Sequence, residues 1–312
     1  NGRSGIAKIK GFDASALQVD IAGEVKDFNF AEHFSSEMSR TAKRMDPFVH
    51  YAAAAVKQAI GQSGLQIDKD PERIGISFSS GMGGMRTQHE NSAALATRGS
   101  RRVSPFYVPA AIGNIAAGIL SMEYGIKGPN LSLQTACATA NHSIISAFLI
   151  IQAGMADAII AGGAEAAVIE LGVAGFANMR ALSTNFKDTP EKASRPYDVD
   201  RDGFVIGEGA GALVVEELEH AKARGAEILC ELKSVGMSGD AYDLVMPDPE
   251  GMGAYRSMKM ALDRADMGPD SIDYINAHGT ATPLGDIAES KAVMRLLDGD
   301  ESRCNVSSTK SM

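Results

Sequence analysis

Hydrophobic and polar positions change period repeatedly along this 312-residue chain. Short apolar runs alternate with stretches that repeat about every 3.6 residues, which predicts an α/β fold. Asp46-Pro47 predicts a helix start, with Asp at the N-cap and Pro in the first turn, and the helix continues to Ile60. Residues 74–78 predict a short strand. Residues 131–134 predict another, followed by an alanine-rich helix over 138–153. Residues 158–161 are apolar throughout, as befits a strand buried on both faces. Further strands are expected over 212–216, 228–235, 274–275 and 305–307, and helices over 253–265 and 287–297.

Two features stand outside this alternation. Residues 180–211 are polar and Gly-rich, and a loop this long in a compact domain is more often functional than idle. Residues 130–137 are echoed by residues 303–310. Each reads as a short strand ending on a reactive side chain, Cys137 or Lys310, before a helix start. Two related halves would explain the echo.

Composition narrows the classes. With 45% apolar and 22% charged residues, the chain has ordinary globular content. A net charge of −9 argues against wholesale nucleic-acid binding. No run of 18 apolar residues exists, so no membrane-spanning helix is expected. The three cysteines, Cys137, Cys230 and Cys304, are far apart and form no C-x-x-C, so neither zinc nor a disulfide framework is expected. The opening residues 1–4 and the closing residues 307–312 read as cuts inside a longer protein.

Three positions carry candidate chemistry. Cys137 lies at a strand-to-helix junction, where free helix N–H groups favour a thiolate. A buried structural thiol is the alternative at that position. His278 follows a strand in Asn-Ala-His-Gly-Thr, where α/β enzymes place site residues. Its neutral imidazole is suited to stabilise an oxyanion or to take a proton, and a histidine satisfied within a loop is the alternative. Lys310 ends Ser-Ser-Thr-Lys, either as a surface lysine or as the partner of a site carboxylate, with Glu289 the candidate.

Other motifs are weaker. Asp198, Asp200 and Asp202 imitate the start of a calcium loop, but its twelfth position is Gly209, so no metal is expected. Gly81-Met-Gly83-Gly84 and Gly207-Glu-Gly209-Ala-Gly211 match no phosphate-binding fingerprint and read as tight turns or close backbone approaches. No G-x-S-x-G occurs. Arg40, Lys43 and Arg44 form one basic cluster, and Arg98, Arg101 and Arg102 another. Each is either a solvated face or a landing patch for an acidic partner.

In order and spacing, these segments resemble the elongating β-ketoacyl-acyl-carrier-protein synthases of types I and II. The resemblance rests on Thr135-Ala-Cys137-Ala-Thr139, Ala161-Gly-Gly-Ala-Glu165, Arg180-Ala-Leu-Ser183, Ala193-Ser-Arg-Pro196, Arg201-Asp-Gly-Phe-Val-Ile-Gly-Glu-Gly-Ala210, Asn276-Ala-His-Gly-Thr-Ala-Thr-Pro283, Gly285-Asp286 and Ser307-Ser-Thr-Lys-Ser-Met312. It implies a thiolase-like α/β fold of two halves in five α-β-α-β-α layers. The first half would span 1–217, and 218–312 would begin the second. It implies decarboxylative condensation of an acyl-enzyme with malonyl-ACP in fatty acid elongation. Cys137 would accept the acyl chain. His278 would assist decarboxylation, and Lys310 would stand in the site with Glu289 as its acidic partner. Thr280 and Thr282 would bind the phosphopantetheine arm, Phe204 would flank the malonyl group, and Met82 would stand at the bend of the acyl pocket. Arg40, Lys43 and Arg44 would dock acyl carrier protein.

The resemblance also implies a homodimer, no cofactor on the chain itself, no nucleic-acid or membrane partner, and a cytoplasmic or organellar home. The family's first strand, its second catalytic histidine and its late glycine-rich loop are missing, so residues 1–312 alone are expected to be inactive. A polyketide synthase ketosynthase domain would do the same chemistry for other partners. A chain-length-factor-like subunit would lack the nucleophile that Cys137 supplies.

Overall fold

The computed structural model describes residues 2–300 and 304–311. Arg303, which opens the second segment of the echo, and Met312, which closes the chain, lie outside the described residues. Strands β1 (Ala7–Lys8) and β2 (Ile21–Ala22) come first, followed by helices α1 (Ser36–Ala42) and α2 (Pro47–Ser63). Strand β3 (Ile74–Ser79) leads to α3 (Met85–Arg98), α4 (Tyr107–Ala111) and α5 (Ile115–Tyr124). Strand β4 (Asn130–Leu131) precedes α6 (Thr139–Gln152), and β5 (Ala158–Glu165) precedes α7 (Glu170–Asn178). After β6 (Gly209–Glu216) come α8 (Leu218–Ala223), α9 (Met252–Arg264), β7 (Tyr274–Asn276), α10 (Pro283–Leu296) and β8 (Asn305–Ser307).

The chain divides into two compact units. One comprises Val25–Leu171 and Gly207–Glu231, and the other comprises Asn1–Glu24, Gly172–Ile206 and Leu232–Met312. The first unit holds a four-stranded sheet in the order β4-β3-β5-β6, parallel except where β6 joins β5. Side chains alternate across it as the two-residue period of a strand demands. Ile74, Ile76 and Phe78 of β3, with Ala158 and Ile160 of β5, join α2 and α5 in the larger core, where Phe48, Val49, Val56 and Leu120 are fully buried. Ile159 and Ala161 face the other way and pack with Ala147, Ile144 and Ile151 of α6.

On the α6 face the strands carry small residues. Gly75, Ser77 and Ser79 alternate along β3, and Ser77 shares a hydrogen bond with Ser146 at 2.7 Å. A Cβ on Gly163 would come within 3.1 Å of Ala140 Cβ and 3.3 Å of Ser79 O, so the start of α6 lies tight against the sheet. That close approach fixes the end of α6 that bears Cys137.

In the second unit β7 and β8 pair in parallel, Tyr274 opposite Asn305 and Asn276 opposite Ser307. Val293 and Leu297 pack with Cys304, Met258 and Ile275 as its small core.

Several expectations need correction. Residues 228–235 form no strand. Ile228, Leu229 and Leu232 are exposed, and among the described residues no strand lies beside them to complete the backbone hydrogen bonds. The strand expected over 131–134 is confined to Asn130–Leu131, because the chain turns toward Cys137 directly afterwards. Helix α10 begins at Pro283, four residues before the expected 287, with Asp286 in its first turn.

Candidate active site

Cys137 belongs to the first unit. Between β4 and α6 the chain makes one 3-10 turn over Ala136–Ala138, and α6 continues from Thr139. Ala136 is forced to a φ of 51°, a left-handed conformation that costs a residue with a Cβ about 1–2 kcal/mol. The turn is held by its own helix. Thr139 Oγ1 accepts the amide of Thr135 at 2.9 Å, and the Thr135 hydroxyl meets His142 Nδ1 at 2.7 Å. Cys137 is solvent-exposed at this junction, so the alternative of a buried structural thiol is removed. Backbone strain beside an exposed nucleophile-type side chain is a recognised accompaniment of function.

Met82 lies in the same unit, 37% exposed, at the tip of the turn after β3. Gly83 has a φ of 73°, and a Cβ on Gly84 would stand 2.3 Å from Ala110 O. Only glycine fits there, as the tight-turn reading anticipated. Arg40, Lys43 and Arg44 are exposed at the end of α1, with the Arg44 guanidinium 4.1 Å from the centre of the Phe106 ring.

His278, Lys310, Glu289, Thr280, Thr282 and Phe204 belong to the second unit. The turn after β7 is gripped by one carboxylate. Glu289, on α10, accepts the amide of His278 at 2.6 Å and that of Gly279 at 2.7 Å, and the Tyr197 hydroxyl donates to it at 2.8 Å. Lys310 Nζ donates to the carbonyl of His278 at 2.6 Å. The pairing expected from pattern is therefore revised. Lys310 reaches the backbone of the histidine and Glu289 secures the same peptide from its N–H side, with no ion pair between the two among the described residues.

Surrounding protein lowers the His278 imidazole below its ordinary value, although the residue keeps solvent exposure. The positive charge of Lys310 lowers it further, while Glu289 and Asp286 act in the opposite direction. The ring is thus biased toward its neutral form.

Thr280 and Thr282 bring their hydroxyls within 3.1 Å of each other. Between them Ala281 takes a φ of 66° and accepts the amide of Gly203 at 3.0 Å. A Cβ on Gly203 would lie 2.4 Å from the carbonyl carbon of Leu182, so glycine is obligatory beside Phe204. Phe204 exchanges backbone hydrogen bonds with Ala181 and Ser183, and its ring meets Phe176 edge-on at 5.3 Å.

The acidic run at 198–202 has other partners. Asp198 binds Arg195 at 3.0 Å, and Asp202 accepts from Ser183, Thr184 and Asn185.

Reading the sequence missed the supports. Tyr197, Asp286 and Ser308 had no assigned role. Asp286 accepts the amide of Tyr197 at 2.8 Å, and Ser308 accepts that of Lys310 at 3.2 Å while donating to Gly279 O at 2.8 Å. Asp286, in the first turn of a helix opened by Thr-Pro, was the one with a visible signal.

A strained strand-to-helix turn presents an exposed cysteine, and a separate turn presents a neutral-biased histidine beside a lysine, side chains of the kinds that thiol-dependent acyl transfer uses. The family described as "Beta-ketoacyl synthase, N-terminal domain" matches residues 1–221, and "Beta-ketoacyl synthase, C-terminal domain" matches 229–312. The chain belongs to the β-ketoacyl synthase family. Over its whole length it is 48% identical to 3-oxoacyl-[acyl-carrier-protein] synthase 2 of Coxiella burnetii, covering 74% of that protein. Among solved structures it superposes on a β-ketoacyl synthase from Burkholderia phymatum with a TM-score of 0.89 at 31% identity, covering 99% of this chain and 74% of that one. A type II polyketide ketosynthase, solved with its acyl-carrier protein and bound to a hexaketide, matches with a TM-score of 0.88 at 28% identity, covering 100% of this chain and 75% of that one. The fold is accordingly the thiolase-like fold of condensing enzymes.

Proposed function

We propose that this chain carries the acyl-accepting and decarboxylating residues of a β-ketoacyl-ACP synthase of fatty acid elongation. The observation that carries the reading is the exposed Cys137 held on the strained Ala136 turn at the start of α6. The Cys137 thiolate attacks an acyl thioester, forming the enzyme thioester and releasing the carrier's pantetheine thiol. Malonyl-ACP then loses CO2, and the His278 N–H donates to the thioester oxygen as the enolate develops. The enolate carbon attacks the acyl carbonyl on Cys137. A carbon–carbon bond forms, the carbon–sulfur bond breaks, the thiolate is regenerated, and the β-ketoacyl chain leaves on the carrier.

Thr280 and Thr282 present paired hydroxyls suited to a pantetheine amide, and Phe204 lines the malonyl side. Lys310 and Glu289 hold the His278 peptide. Met82 stands at the acyl pocket bend, and Arg40, Lys43 and Arg44 steer the acidic carrier protein. No metal or organic cofactor enters any step. The protein works as a homodimer in the cytoplasm. No described helix is long and apolar enough to cross a membrane. Identity of 48% with a 3-oxoacyl-[acyl-carrier-protein] synthase 2, against 28% with a polyketide ketosynthase, favours the fatty acid reading over the polyketide one.

Incubating the protein with acyl-ACP and mapping the acyl mass to a peptide tests the proposal. The label is expected on Cys137, and its loss in Cys137→Ala should accompany a fall in condensation on the order of 10⁴-fold or more. Label on Cys230 or Cys304 alone would sink it.

A further inference from the structure

The turn bearing Met82 and the turn bearing Cys137 meet at one half-buried carboxylate. The buried Ser80 hydroxyl accepts the amide of Met82 at 3.2 Å and that of Gly83 at 2.7 Å. With both lone pairs occupied, its proton has to be donated, and it goes to Glu165 Oε1 at 2.8 Å. Glu165 ends β5, and the nearby amides of Gly81, Met82 and Ala166 favour its charged form. A Cβ on Gly81 would stand 3.0 Å from Glu165 Oε2 and 3.1 Å from Ala136 O. The residue before Met82 is thus wedged between this carboxylate and the residue before Cys137.

The position requires a carboxylate. Ser80 has only a donor left to offer, and the surrounding backbone groups are N–H donors too. A glutamine would turn its NH₂ toward one set or the other and leave a donor without an acceptor. Burial raises the Glu165 carboxyl, and the donors around it hold against that rise.

We infer that Glu165 and Ser80 are positioning residues that fix the turn over residues 80–83 as a wall of the acyl pocket and so set which chain lengths Cys137 accepts. The inference rests on the reading of Cys137 as acyl acceptor and Met82 as pocket bend. Neither Glu165 nor Ser80 touches the reacting atoms.

The test uses the full-length protein and compares rates of Cys137 acylation from hexanoyl-ACP and hexadecanoyl-ACP. The proteins compared are the wild type, Ser80→Ala, Glu165→Gln, the double variant and Met82→Phe. Freeing the turn should shift the rate ratio toward the long chain by about tenfold in each single variant, the scale of one buried hydrogen bond. Met82→Phe should shift it toward the short chain. The double variant should shift no further than either single one, because the two residues act as a unit. A ratio measured on one sample is unmoved by a fraction of unfolded protein. Ser80→Ala removes a hydroxyl without adding volume, which keeps the test available if Glu165→Gln folds poorly.

An unchanged ratio in Ser80→Ala and Glu165→Gln, with Met82→Phe shifted, overturns the clamp and leaves the pocket reading standing. No shift in any variant overturns both. A shift in the clamp variants alone removes Met82 from the pocket and overturns the inference, which rests on that reading. A shift toward the short chain, or additive effects in the double variant, also overturns it. If the wild type shows no label on Cys137, the underlying reading falls and the inference falls with it.

Discussion

The two reactive turns are built on opposite plans. Among the described residues no carboxylate or ammonium bonds to the turn before α6. Its conformation is imposed by Thr135, Thr139 and His142 at the cost of a left-handed alanine, and Cys137 stands exposed just before α6. The turn after β7 is clamped by charges. Glu289 takes two of its amides, Lys310 takes the His278 carbonyl, and left-handed positions fall on Gly279, with a φ of 40°, and on Ala281, with a φ of 66°. The contrast follows from the chemistry. The nucleophile's turn is bonded by hydroxyl and imidazole groups, and Glu165 reaches it only through Gly81, whereas a histidine that only donates a hydrogen bond gains from being held rigidly and kept neutral.

The largest effect that could break this comparison is catalytic. If His278 serves the malonyl thioester rather than Cys137, His278→Ala should reduce decarboxylation by roughly 10²-fold or more, the scale for losing one oxyanion donor. Acylation of Cys137 should be affected much less. Separate assays of CO2 release and of acyl label would read the two steps. An equal fall in both, with the fold intact, would show that the two turns share one task.

The next effect is on stability. A Cβ on Gly279 would sit 2.6 Å from Ser308 Cβ, and the buried Ser308 hydroxyl supports both Gly279 and Lys310. Gly279→Ala should cost about 2–4 kcal/mol by combining overpacking with a left-handed penalty. Ala136→Gly should stay within about 1 kcal/mol of wild type, because relief of strain is offset by a more flexible unfolded chain. Urea midpoints of the two variants would check the asymmetry. Similar losses in both would mean that the strain at Ala136 is not real.

The same contrast explains how far the molecule was legible from its sequence. Local patterns carried most of it. Buried β5 was visible as an apolar run, α9 from its period, and the Cys137 junction from a strand running into an alanine-rich helix. Long-range partners were invisible. Asp46 is the N-cap of α2 as its sequence position predicts, yet its carboxylate accepts the amide of Thr87 in the first turn of α3 at 2.8 Å, a partner that position does not reveal. Tyr197 reaches Glu289 across 92 positions of sequence, a contact that no local periodicity encodes. Residues 228–235 have a strand's composition without a neighbouring strand, and composition cannot supply one.

The smallest effect concerns the charge state of His278. Burial is the first cause of its lowered value and the Lys310 ammonium the second, with Glu289 and Asp286 opposing. The folded protein therefore binds the imidazole proton more weakly than the unfolded chain, whose value lies near 6.5. Over the window below that value the unfolded state holds more protons, so this group's contribution to stability is present at higher pH and is lost as pH falls through about 6.5. Lys310→Met removes the second cause and leaves the first. An NMR titration of the His278 ring should then move upward, because a lowering cause is gone while the raising carboxylates remain. The acid-side loss of stability should shrink in step. A titration that does not move, or moves down, would mean that Lys310 does not act on the ring through its charge. Its hydrogen bond to the His278 carbonyl would then be its whole part in the turn.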